Sequence, residues 1–244
     1  MAVYVYTIVA RTHPQRLDGL AGVGDPPAEL RTVHAATLSA VVSDAPEGLR
    51  PKRRDLGAHQ AVQERLMDDG TVLPLQFGFT TTDDDAVRTV LEQRAEQFLE
   101  RLRTLEGCAE YNLKAAQDEN ALLRRILQES GEARRLNDEI RSGRSSPELP
   151  LALGELVAQE VQEREGGAAA GIVESLRGFA REERAAQPRG DDFLNVSFLV
   201  DREEEKAFLA AERGLAEELG SEYDLRLRGP LPAYSFVQEA PWDS

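Results

Sequence analysis

The sequence predicts an α+β protein of two domains, and three observations carry the prediction. Within residues 55–79 the hydrophobic period changes from helical to alternating, so a helix feeds directly into a strand. Similar signals alternate along the chain, with β-branched and aromatic runs at both ends and long helical stripes between them. The 244 residues are 41% hydrophobic and 30% charged, enough to bury one large core or two medium ones.

The elements follow in order. Residues 2–9 alternate β-branched and aromatic side chains and read as a strand buried on both faces. A short helical turn is expected over residues 14–20. Residues 21–27, AGVGDPP, are a loop, because a phosphate cradle needs a helix N-terminus behind it and Pro26-Pro27 follow instead. Two short strands, 30–34 and 37–43, form a hairpin, and the loop after them carries Arg50, Lys52, Arg53 and Arg54. Asp55 is placed to cap the next helix, whose buried stripe is Leu56, His59, Val62 and Leu66. Asp69-Gly70 ends it. In the strand over 71–79, Leu73, Leu75, Phe77 and Phe79 face one way and Val72, Pro74 and Gln76 the other. Pro74 has no N–H, so this strand belongs at a sheet edge or a bulge. The order is that of a ferredoxin-like (βαββαβ) domain. Closed by a helix that Asp83–Asp85 open and that buries Val87, Leu91, Phe98 and Leu102, it occupies residues 1–105.

Residues 106–244 form the second domain, α+β with long helices and a modified ferredoxin-like sheet. A strand covers 109–115, with Tyr111 and Leu113 inward. Helix over 118–141 breaks near Gly131, and a second helical stretch over 151–186 bends or divides at Gly166-Gly167. These stripes suit a hairpin packed within the domain more simply than a coiled coil. A strand over 193–200, a helix opened by the capping box Asp201-x-x-Glu204 and closed by Gly220, and a strand with Tyr223, Leu225 and Leu227 on one face follow. Gly229-Pro230 is expected to turn residues 231–237, with Tyr234 and Phe236, back over the body. Trp242 lies in the tail.

Residue chemistry points away from catalysis and cofactors. His13, His34 and His59 fall in different elements without partners at ligand spacing, so neither metal nor organic cofactor is expected. Asp55 and His59 stand four apart and could act as an acid–base pair, but no nucleophile or oxyanion framework joins them. Cys108 is the single cysteine, which fits a reducing cytoplasm and a structural role. The N-terminus does not read as a signal peptide, and no apolar run reaches membrane-spanning length. Acidic residues outnumber basic ones 44 to 29, a formal net charge of −15 that opposes binding to nucleic acid or an anionic lipid membrane.

Residues 55–79, with EYNLKA at 110–115 and RLRGPLPAYSFV at 226–237, resemble the gas vesicle protein F/L family, and the resemblance runs in order from VYVYTIVA to Val237. It implies a non-enzymatic accessory factor in building gas-filled protein shells, cytoplasmic and associated with the vesicle. Its partners would be the hydrophobic shell subunit and other accessory proteins. Such subunits would aggregate before assembly, and an acidic, soluble partner suits them. The contact is expected at the edge near Val72, Pro74 and Gln76. The rival reading is a small-molecule sensor or enzyme on tandem ferredoxin-like domains, which would need a concave site with convergent polar groups.

Overall fold

The computed structural model describes residues 2–143, 146 and 148–237, so Trp242 lies outside the described residues. The first part of the chain contains β1 (Val3–Ala10), β2 (Arg31–His34), β3 (Leu38–Asp44), α1 (Arg53–Asp69), β4 (Val72–Pro74), β5 (Thr80–Thr81), α2 (Asp84–Gln93) and α3 (Ala95–Thr104). Then come β6 (Cys108–Gln117), α4 (Glu119–Glu129), α5 (Gly131–Arg141), α6 (Glu148–Arg177), β7 (Glu182–Ala185), β8 (Asp192–Asp201), α7 (Glu205–Leu219) and β9 (Tyr223–Leu231). A short 3₁₀ turn, Tyr234–Phe236, ends the described chain.

The elements build two sheets, with strand orders β2-β3-β1-β4 (β5 also pairing with β1) and β7-β8-β6-β9. The chain divides into two compact units. The first gathers Met1–Tyr111, Leu199–Arg202 and Gly229–Ser244; the second gathers Asn112–Phe198 and Glu203–Arg228.

In the first unit every strand pairing is antiparallel. Val5 faces Val42 and Thr7 faces Val41, so Tyr6 is an extra residue on β1. This bulge reverses the alternation. Val3, Val5 and Ile8 thereby enter the core on one face, with Val87 and Leu91 of α2 and Phe98 and Leu102 of α3. Tyr4, Tyr6 and Val9 enter the other, with Val62, Leu66 and Met67 of α1. Both faces are covered, as the unbroken apolar run of β1 implies.

Several local expectations are corrected. The connection from β1 to β2 contains no helix, because Pro14, Gly19, Gly22, Pro26 and Pro27 interrupt it. Asp55 does not cap α1, which starts two residues earlier with Lys52 at its N-cap and no side-chain cap bond. The buried stripe is accordingly Asp55, His59, Val62, Gln63, Leu66 and Met67, while Leu56 is 42% exposed. The long helix after Asp83 is two, α2 and α3, meeting at Arg94. Asp83 does cap α2, its carboxylate accepting from the Ala86 N–H at 2.8 Å.

In the second unit α4, α5 and α6 bury Leu122, Ile126 and Ala133 against one another. Gly166-Gly167 neither breaks nor divides α6, which runs unbroken for 30 residues. Ala168, Ala169 and Ala170 follow the pair directly, and their helix propensity carries the chain through. The helix ends at Arg177, and the strongly charged EERA beyond it, read from sequence as helix, is strand β7. Glu204, not Asp201, is the N-cap of α7, and Asp201 ends β8. Gly220 closes α7 as expected.

Gly229-Pro230 makes no reverse turn, because β9 runs through it to Leu231. A Cβ on Gly229 would run into the ring of buried Tyr111 and lie 2.9 Å from the Glu110 carbonyl oxygen. Gly229→Ala should therefore destabilise the protein by roughly 1–3 kcal/mol, read as a lower urea midpoint. An unchanged midpoint would show that the ring has room to yield.

Candidate functional site

The two chemistry-bearing helical residues, Asp55 and His59, lie on the buried face of α1 in the first unit. Asp55 accepts the Gly24 N–H at 2.9 Å and pairs with Arg54 at 3.4 Å. The Gly24 hydrogen bond, reinforced by Arg54 and Lys52, holds its carboxyl below the ordinary range despite burial. Asp55 thus fastens the loop after β1 to α1.

His59 is the centre of an aromatic cluster. Its Nδ1 lies 2.8 Å from the Tyr4 hydroxyl and its Nε2 lies 3.3 Å from the Tyr234 hydroxyl. The Gly78 N–H donates to the Tyr4 oxygen at 3.1 Å, so the Tyr4 O–H is free to donate to Nδ1 and the Nε2–H tautomer satisfies the set. Tyr6 stacks on the imidazole at 5.7 Å, and Phe77 meets it edge-on at 5.8 Å. Burial drives the His59 pKa down to about 4, partly offset by a hydrogen bond to the Leu75 backbone. Burial likewise raises the Tyr4, Tyr6 and Tyr234 phenols. At neutral pH the cluster is uncharged, and its hydrogen bonds fasten the C-terminal segment to α1 and β1.

That segment is anchored twice more. The Ser235 N–H and Oγ both donate to the Glu110 carboxylate, at 2.8 and 2.7 Å. Ala233 and Phe236 are buried in the core with Leu199 and β1.

His13 locks the other end of α1. Its Nε2–H donates to the Leu66 carbonyl at 3.0 Å while its Nδ1 accepts the Gln15 N–H at 3.1 Å, and burial lowers its pKa. Gly70 is required beside it, since a Cβ there would lie 2.9 Å from the His13 ring. No local pattern marks this pair, which stands 57 positions apart. His34 bonds Ser39 at 2.9 Å. Among the described residues no group of three or more His, Cys, Asp or Glu is placed to hold a metal, and no helix is long and apolar enough to cross a membrane.

The three residues expected at the partner contact divide. β4 does end its sheet, pairing only with β1. Val72 and Pro74, however, are buried, and only Gln76 is exposed. Val72 packs with Val62, Leu66 and Met67 because α1 covers the face it points to, which an alternating pattern alone could not distinguish from solvent. Beside the strand lies a cleft of about 380 Å³ lined by Gly70, Thr71, Val72, Leu105, Cys108 and Arg202, among others. Arg202 crosses it, donating to the Met67 carbonyl at 2.9 Å.

A mixed α+β protein with two four-to-five-stranded sheets and a C-terminal segment sealed into its first core is a defined structural class. It is the class of two crystal structures of the gas vesicle protein GvpF. The one from Anabaena sp. PCC7120 superposes with a TM-score of 0.82 at 21% identity, over 98% of this chain and 99% of that one. The one from Microcystis aeruginosa gives 0.80 at 23% identity, with the same coverage. Sequence carries the assignment further. Gas vesicle protein F of Streptomyces sp. (strain CB03234) is 45% identical over 239 residues, 98% of this chain and all of that one. Gas vesicle protein L of the same strain is 27% identical, over 98% of this chain and 94% of that one. A model of the gas vesicle synthesis protein GvpL/GvpF family matches residues 2–238, and the chain belongs to that family.

Proposed function

We propose that this chain is a non-enzymatic accessory protein of gas vesicle formation that binds the hydrophobic shell subunit and other accessory proteins during assembly. The family match over residues 2–238 is the observation that carries this reading. The higher identity to an F than to an L protein of one organism favours an F-type role. Its place of action is the cytoplasm and the growing vesicle. Net charge −15 supports the reading physically, since it keeps a partner of very apolar subunits dispersed. We also propose that both sheets are variants of the ferredoxin-like arrangement. In each half the strands stand in the order second, third, first, fourth, with a loop as the first connection in one and three helices in the other.

The shell contact is proposed at the β4 edge, with Val72 and Pro74 setting its shape and Gln76 reaching the partner. Pro74 supports this by leaving part of the edge without a ladder donor. The test uses the full chain, because Leu199, Ala233 and Phe236 complete the first core. Deleting the gene from a vesicle-forming cluster should abolish or deform vesicles seen by electron microscopy. Tagged full-length protein should retain shell protein, and Gln76→Lys should cut that retention about tenfold with unchanged melting temperature. Normal vesicles in the deletion strain would overturn the role; equal retention by Gln76→Lys would remove only the β4 contact.

A further inference from the structure

The basic run before and into α1 is left without a task by the fold and by the β4 contact. Arg50, Lys52, Arg53 and Arg54 stand within five positions of a chain whose formal net charge is −15, and all four are exposed. Arg54 is used locally, pairing with Asp25 at 2.8 Å and with Asp55 at 3.4 Å. Among the described residues, Arg50, Lys52 and Arg53 are in no salt bridge of their own.

Lys52 helps Arg54 hold Asp55 ionised, but the start of the helix gives no reason for a run of cations. Lys52 is the N-cap of α1 and makes no side-chain cap bond, and Arg53 is its first residue. The helix dipole is already positive there, so cations are the unfavourable choice and acids the favourable one. Two other helices show the favourable choice: Asp83 caps α2 and Asp118 caps α4, each accepting an N–H.

Beside these charges sits an apolar anchor. Leu56 is 42% exposed, and with Leu151 it is one of the two exposed large hydrophobics among the described residues. One turn further along that side of α1 comes exposed Gln60.

We propose that Arg50, Lys52, Arg53 and Leu56 form a docking surface for an acidic protein segment that carries an apolar side chain. Charge complementarity selects the occupant: a local cationic face on a strongly anionic body attracts acidic segments and sets their register. Leu56 distinguishes it from a nucleic-acid site, which would reward further cations and stacking rings, and the field of the remaining chain repels a long polyanion. The surface lies on α1, apart from the β4 edge, and does not depend on the shell contact.

The full chain carrying Leu56→p-benzoylphenylalanine, expressed in cells with their own gas vesicle genes, provides the test. After irradiation the cross-linked peptide is sequenced by mass spectrometry. The expected product joins position 56 to one defined, Asp- and Glu-rich segment at an apolar residue. Its yield should fall about tenfold when Arg50, Lys52 and Arg53 are all changed to Glu, and also when ionic strength is raised. Glu at these positions suits the start of α1, so the triple variant keeps its fold, checked by its melting temperature. Cross-linking no greater than at Leu151→p-benzoylphenylalanine, products on nucleic acid or on basic segments, or a yield indifferent to charge reversal would each overturn the proposal. A charge-dependent product on a protein unrelated to vesicles would uphold this surface while counting against the vesicle role.

Discussion

Replacing Phe236 by alanine will lower the stability of the protein by about 3–5 kcal/mol. The residue stands near the end of the chain, where a substitution is ordinarily harmless, yet its side chain is fully buried. It packs in the cluster that holds Val3, Val5 and Ile8 of β1, Leu91 of α2, Phe98 of α3 and Leu199 of β8. Those elements are fixed by other contacts and cannot collapse onto the space left behind, which places the cost toward the upper end of the range. Ser235, held by both oxygens of Glu110, keeps the segment in place even without the ring. The variant should therefore remain folded with a lowered urea midpoint and little change in slope. Truncation after Arg228 removes Ala233, Tyr234 and Phe236 together and should cost at least as much. An unaltered midpoint in both would mean that the segment lies on the surface.

The strands and buried helix stripes were legible where one physical signal dominated. Val3 to Val9 read as a strand covered on both faces because nothing polar except Thr7 interrupts it, and Thr7 answers its burial by donating to the Leu73 carbonyl at 2.8 Å. Val87, Leu91, Phe98 and Leu102 kept their stripe even though Arg94 divides the helix, since a short irregularity preserves the face. Tyr234 and Phe236 were expected to pack because they are too apolar for a free tail, and they do.

Other features had competing explanations at the level of sequence. Helical spacing puts Leu56 inside, and the short oxygen-bearing side chain of Asp55 suits a cap, yet the fold exposes the first and buries the second. The partner that changes the outcome is the Gly24 N–H, 31 positions away, and no local pattern shows it. β7 hides for a similar reason: Glu182, Glu183 and Arg184 favour a helix by propensity, and only pairing with β8 makes them a strand. The bulge at Tyr6 is a matter of register with β3, and register lies in the pair of strands. The outward facing expected of Val72 and Pro74 fails for a related reason, since period 2 reports that a strand has two faces but not that α1 covers one and α3 the other. His59 was recognised as a residue of the core or an interface, while its aromatic neighbours, drawn from β1, residue 77 and residue 234, become neighbours only in the fold.

That cluster sets the second large effect, a loss of stability on mild acidification. His59 has a folded pKa of about 4 against 6.5 when unfolded. Between those values the unfolded chain binds a proton that the folded chain refuses, so stability falls as pH falls. The contribution is complete above pH 6.5, and about 2 kcal/mol of it is gone by pH 5. His13 and His34, whose pKa values burial also lowers, act in the same direction. The groups facing His59 give its cation no relief: Tyr4, Tyr6 and Tyr234 remain neutral phenols, Phe77 is apolar, and Asp55 is committed to Gly24 and Arg54. Urea denaturation of the wild type and of His59→Gln from pH 7.5 to 5, above the pI near 4.7, separates this residue from the other two. Glutamine keeps a donor and an acceptor but does not titrate, and it loses the stacking on Tyr6. It should therefore be less stable than wild type at pH 7.5 by about 1–3 kcal/mol. The gap should close by about 2 kcal/mol as pH approaches 5, because only the wild type is penalised. Parallel curves for the two proteins would show that His59 is hydrated or charged in the folded state, and the sealed aromatic cluster would have to be abandoned.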